Sequence, residues 1–276
     1  MSKITAADVK KLRDQTGAGM MDVKKALVEA EGDAEKAIEI LRKKGQKLSM
    51  KRAGREAKEG VVIAKVCDEN TKGIVIRLSC ETDFVAKNDD FIDFADQIAG
   101  IALENMPESK EALEELELDG KKIKDLIVNQ VGVIGEKIEL ADYESLEAET
   151  VVPYIHMGYR AGVIVGLNQT GDEVVEAGKN VAMQIAAMKP LALDKDGVDE
   201  SIVEKEIEIG KEQARQEGKP EQILEKIAKG KLNKFFQENT LLAQSYVKDS
   251  KQSVSDYLKS IDKDLTVTGY KHLMLG

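Results

Sequence analysis

The chain has 276 residues, with 41 Lys and Arg against 51 Asp and Glu. That is a formal charge of −10 spread along its length, room for about two domains and no basic tract to track a phosphate backbone. Two cysteines (Cys67, Cys80) and two histidines (His156, His272) are too few for a disulfide framework or a Cys/His metal cage, and no span approaches the roughly 18 uncharged apolar residues of a membrane helix. Residues 1–11 hold no apolar signal core, so a soluble protein of the reducing cytoplasm is expected, with no direct nucleic acid and no membrane among its partners.

In chain order, residues 4–44 read as three short helices. Thr5 caps the first, Ala6 to Thr16, with Val9, Leu12 and Arg13 on one side, and Gly17-Ala18-Gly19 breaks it. The second runs from Met21 to Ala30; Gly32-Asp33 stops it and caps a third from Ala34 to Lys44. Residues 45–60, GQKLSMKRAGREAKEG, are rich in Lys and Arg and nearly devoid of apolar side chains, the composition of a solvated linker.

From Gly60 the period changes to two. VVIAKV (61–66), a turn, and GIVIRLSC (73–80) make an antiparallel hairpin with Cys67 and Cys80 as small buried residues. Asn88 or Asp89 then caps a helix whose buried face is Phe91, Phe94, Ala95, Ile98, Ala99 and Ala102. The pattern recurs: Gly73-Ile74-Val75-Ile76 matches Gly162-Val163-Ile164-Val165 at an offset of 89, which also pairs Asp83 with Asp172 and Val85 with Val174. Inside the helix an offset of 87 pairs Phe94 with Val181 and Ile98 with Ile185, so the second copy reads as two residues shorter in its loop.

Between the copies lie helices near Lys110–Leu116 and Ile123–Val131 and a strand near Lys137–Tyr143. After Pro190 a charged helical hairpin spans about residues 198–236, a helix follows from Ser253 to Ile261, and a strand runs from Leu265 to His272. The expected fold class is α+β: a helical bundle (1–44), a linker (45–60), and two duplicated core subdomains with small antiparallel sheets (61–143 and 144–276), the second carrying the inserted antiparallel hairpin.

Enzymatic signatures are missing: there is no GxxxxGK(S/T) loop, GxSxG elbow or HExxH pair, and Gly17-x-Gly19 follows no strand. His156 and His272 read as surface or packing residues. The loop Thr82-Asp83-Phe84-Val85 is different, because the second copy keeps the Asp and places Glu173 where Phe84 stands. A ring needed by the shared core would be apolar in both copies, so Val85 is the expected core anchor and Phe84 a candidate exposed knob for another protein. A Phe tucked under its own helix is the competing reading.

Three segments, ITAADVKKLRDQTGAGMMDVKKAL, CETDFVAKNDDF and YIHMGYRAGVIV, give the chain a resemblance to the bacterial elongation factor Ts family over essentially its whole length. The resemblance implies a nucleotide exchange factor, not an enzyme, acting on the GTPase elongation factor Tu in its GDP-bound and nucleotide-free forms. It implies no cofactor, since magnesium and nucleotide belong to the partner. The bundle would be similar to ubiquitin-associated (UBA) domains and would touch the nucleotide-binding domain through Arg13, Met20 and Met21. Thr82, Asp83, Phe84 and Val85 would work near the partner's magnesium, and the second subdomain, with His156, would meet a β-barrel domain. Some members carry a further C-terminal helical module, which is not matched beyond GYKHLMLG, and a homodimer is left open. The alternative is a passive UBA-like adaptor or chaperone that holds a partner without changing its ligand affinity.

Overall fold

Local capping chemistry sets the first helix boundaries in the computed structural model, which describes residues 4–276. Thr5 and Asp8 form a reciprocal capping box at the start of α1 (Ala6–Thr16), and Gly17 ends it in the left-handed conformation at φ 67. After α2 (Met20–Glu29), Asp33 caps α3 (Ala34–Arg52). Val9, Leu12, Val23, Ala26, Leu27 and Ala37 form the small core of these helices.

The expected linker (45–60) is shorter than its composition suggests: α3 continues through Gly45 to Arg52, leaving residues 53–58 as the connector. Its second half is held by α7 (Ile123–Ile134), which crosses it at a pair of glycines. A Cβ on Gly45 would lie 3.1 Å from the Val128 carbonyl oxygen, and one on Gly132 would lie 3.0 Å from Gly45 Cα. The two helices therefore meet backbone to backbone, and the scarcity of apolar residues reflects that contact rather than a free connector.

Strand β1 (Glu59–Val66) and β2 (Lys72–Cys80) are joined by a connection too short for a parallel crossover. The chain then forms α4 (Asp83–Ala86), α5 (Asp89–Asn105), α6 (Lys110–Glu115), a two-stranded ribbon of β3 (Glu117–Leu118) and β4 (Lys121–Lys122), then α7 and β5 (Ile138–Glu147). The first sheet has the order β1-β2-β5. Beyond it come β6 (Thr150–His156), β7 (Ala161–Leu167), α8 (Asp172–Met188), α9 (Glu200–Gln216), α10 (Glu221–Asn239), β8 (Ser245–Tyr246), β9 (Asp249–Ser253), α11 (Val254–Ile261) and β10 (Val267–Met274). The second sheet has the order β10-β7-β6, with β6 and β7 antiparallel from Thr150↔Leu167 to His156↔Ala161. This is an α+β fold with small antiparallel sheets.

Two compact units result. One holds the chain up to Ile63, Ile76–Glu144 and Leu273–Gly276; the other holds Ala64–Val75 and Ser145–His272. In the second unit α8 packs on β6 and β7, and Val152, Val163, Val181 and Ile185 share a core with Val254 and Leu258 of α11. The helical hairpin α9–α10 packs mainly on itself, drawn close where Gly210 faces Ala228.

The duplication is present, with a corrected register. Helices α5 and α8 are both 17 residues long and both end in a left-handed residue, Met106 at φ 43 and Lys189 at φ 47, an offset of 83. At that offset the buried positions of α5 (Phe91, Phe94, Ala95, Ile98, Ala99, Ala102) fall on Val174, Ala177, Gly178, Val181, Ala182 and Ile185, all buried. The sequence register of 87 is displaced from it by one helical turn, which preserves the buried face. The second copy is thus six residues shorter between strand and helix cap (Ile76 to Asn88 against Val165 to Gly171), and the whole of α4 has no counterpart there.

Gly132→Leu should lower the unfolding free energy by about 1–3 kcal/mol in urea denaturation followed by circular dichroism, because the added side chain meets the α3 backbone. Gly230→Ala, inside α10 with nothing within 4 Å of the added carbon, should raise it by about 0.5–1 kcal/mol.

Candidate functional site

Where β2 ends at Cys80 the chain must turn toward α5, and it does so through the four-residue helix α4, which buries no side chain. Thr82 occupies the N-cap position with extended backbone, yet its hydroxyl does not cap the helix. It donates instead to Glu136 Oε1 at 2.6 Å, while Glu136 Oε2 accepts the Thr82 N–H at 3.0 Å and the Glu81 N–H at 3.2 Å. The Cys80 thiol donates to the Thr82 carbonyl at 3.2 Å.

Glu81 completes the base of the turn. Its carboxylate accepts from Arg52 Nη1 at 2.8 and 2.9 Å and from the Lys137 N–H at 2.6 Å. Burial by itself would raise the Glu81 pKa, but the Lys137 N–H, the Arg52 bonds and the charges of Arg52 and Arg55 outweigh it and hold the carboxyl below its ordinary value. Burial pushes the Cys80 thiol up to about 12, with the Glu136 carboxylate adding to the rise.

On this base Phe84 stands 83% exposed. The reading of an exposed ring holds, and the reading of Val85 as the core anchor does not: Val85 is only half-buried, and the core position comparable to Val174 is Phe91. Asp83 is half-exposed, and its carboxylate bonds Lys87 Nζ at 2.6 Å, one turn on; that bond is the main reason its pKa is lowered.

The remaining sequence candidates are dispersed. Met20 (58% exposed) and Met21 (62%) open α2, where Met21 and Val28 line a shallow apolar concavity with Lys24 and Lys25. Arg13 is exposed in the last turn of α1. His156 belongs to the other unit, half-buried, its Nδ1 sharing a 3.0 Å hydrogen bond with the Tyr154 hydroxyl. His272 is held below its ordinary pKa by burial and by the charges of Lys189 and His156. Cys67 lies beyond the end of β1, half-exposed rather than buried in the hairpin. Among the described residues no group of three or more His, Cys, Asp or Glu is placed to hold a metal ion, and no helix is long and apolar enough to cross a membrane. Sequence reasoning missed Arg52, Glu81, Glu136 and Lys137, whose partners lie far along the chain.

A profile of the family described as "Elongation factor TS" matches residues 81–276. The chain is 55% identical to the protein named "Elongation factor Ts" of Christiangramia forsetii over 276 residues, covering all of both chains. It is 54% identical to the protein of that name in Amoebophilus asiaticus, over 99% of each, and 52% identical to that of Flavobacterium psychrophilum, over the full length of both.

A folded pKa below the ordinary value means that Glu81 stabilises the fold above about pH 4.5 and that this contribution is lost as the pH falls through the depressed value. The stability difference between wild type and Glu81→Gln in urea should therefore be full at neutral pH and shrink in acid. At about pH 8, iodoacetamide should label Cys67 and spare Cys80, as read by mass spectrometry.

Proposed function

The chain belongs to the elongation factor Ts family, and from that premise we propose that it is the guanine nucleotide exchange factor for elongation factor Tu, the GTPase that delivers aminoacyl-tRNA to the ribosome. It acts in the cytoplasm by binding, without covalent chemistry and without a cofactor of its own. The observation that carries the reading is Phe84, an apolar ring held out in water on a turn that fully buries no side chain.

A GTPase that holds nucleotide at nanomolar affinity must lose much of about 12 kcal/mol before release becomes quick. A factor that prefers the nucleotide-free state loosens the nucleotide by that same preference, because linkage is reciprocal. Burying one Phe is worth about 1.5–3 kcal/mol, roughly a 10- to 200-fold effect, so Phe84 does not act alone. In this reading Phe84 wedges between helices of the GTPase and disturbs its magnesium and phosphate site, with Thr82, Asp83 and Val85 around it. Arg13, Met20 and Met21 of the bundle (1–44), and His156 of the second core subdomain (144–276), supply further binding energy for the strained complex.

The exposed apolar start of α2 favours a second reading, an adaptor that holds its partner and leaves nucleotide affinity alone. Release of fluorescent GDP from elongation factor Tu, followed by stopped flow with and without the chain, separates the two: acceleration supports exchange, and binding without acceleration supports the adaptor. Phe84→Ala should slow the stimulated release by about 10- to 200-fold and leave the unfolding midpoint unchanged, since the ring is in solvent. Equal release rates for variant and wild type would remove the wedge.

A further inference from the structure

Two carboxylates at the base of the turn each grip the chain that carries the other. Glu136 accepts the N–H groups of Glu81 and Thr82 and the Thr82 hydroxyl, and Glu81 accepts the Lys137 N–H together with two contacts from Arg52. Gly135, left-handed at φ 86, ends α7 and turns the chain so that Glu136 and Lys137 meet the turn. Arg52 arrives as the last residue of α3.

A helix of four residues does not hold itself, and α4 even forgoes its cap, since the Thr82 hydroxyl is given to Glu136. Nor does apolar packing lock α4 in place, because none of its side chains is fully buried and Val85 is only half-buried. The clamp therefore fixes an element that gives the core no fully buried side chain and whose outward feature is the Phe84 ring. The second copy, which has no α4, passes from the end of β7 at Leu167 through three residues to Gly171. We infer that Glu136, Glu81 and Arg52 are positioning residues for exchange, holding α4 rigid so that Phe84 meets the GTPase already ordered; this rests on the exchange reading above.

A double-mutant cycle with fluorescent GDP release at saturating factor tests it. Glu136→Ala should reduce the stimulated rate about tenfold in the wild-type background, the effect of losing one charge-assisted anchor, and change it less than about twofold in a Phe84→Ala background. Glu136→Gln, which keeps one acceptor oxygen, should recover part of the rate. Amide hydrogen exchange on the free chain should speed up at residues 82–87 in Glu136→Ala while α5 stays protected, which also shows that the variant is folded. A Glu136→Ala variant as fast as wild type, or slowed by the same factor in both backgrounds, overturns the positioning role while exchange stands. A wild-type chain that leaves GDP release unaccelerated overturns the exchange reading, and the positioning role falls with it.

Discussion

The arrangement of the first unit depends on one contact, the crossing of α3 and α7 at Gly45 and Gly132. Side chains at either position would drive the helices apart, because a single added carbon already reaches 3.0 to 3.1 Å from the opposite backbone. Each glycine inside a helix gives up about 0.5–1 kcal/mol of helix stability relative to alanine, and the close approach is what the chain obtains in exchange. From this crossing α3 runs on to Arg52, and α7 runs on to Gly135 and Glu136. Two of the three groups that hold the base of α4, Arg52 and Glu136, are thus placed by the same pair of helices.

A polar clamp suits what the turn has to present. An apolar anchor within a four-residue helix would have to rotate part of α4 toward the core, and on so short an element the neighbouring Phe84 would follow it. Hydrogen bonds to the backbone at Glu81, Thr82 and Lys137 fix the chain without using any side chain of α4 itself. Two carboxylates side by side would repel, but every charge is met by N–H groups, by a hydroxyl or by the Arg52 guanidinium, so the arrangement remains favourable in partly buried surroundings.

Much of this was legible in local patterns. The capping residues Thr5, Asp33 and Asn88, the six buried positions of α5 and the change of period at Gly60 all follow from interactions within a turn or two of chain. The misreadings have a common origin. Gly45 looks like a helix breaker unless the opposing Gly132 is known, and Glu136 acquires meaning only through Thr82, 54 residues away. The duplication was visible but slipped by one turn, since positions four apart share a helix face and both registers put apolar residues inside. Carrying the strand offset of 89 on past the strand gave Asp83 and Val85 counterparts they do not have, and the slipped helix register concealed that α4 is an addition to the first copy.

An aromatic ring kept in water has a thermal signature as well as a spatial one. Apolar contact near ambient temperature is driven by the release of ordered solvent, so its strength declines as the surroundings cool. If Phe84 supplies the grip proposed for it, the embrace of the GTPase slackens toward the cold end of growth, leaving the ionic and hydrogen-bonded contacts to carry a larger share.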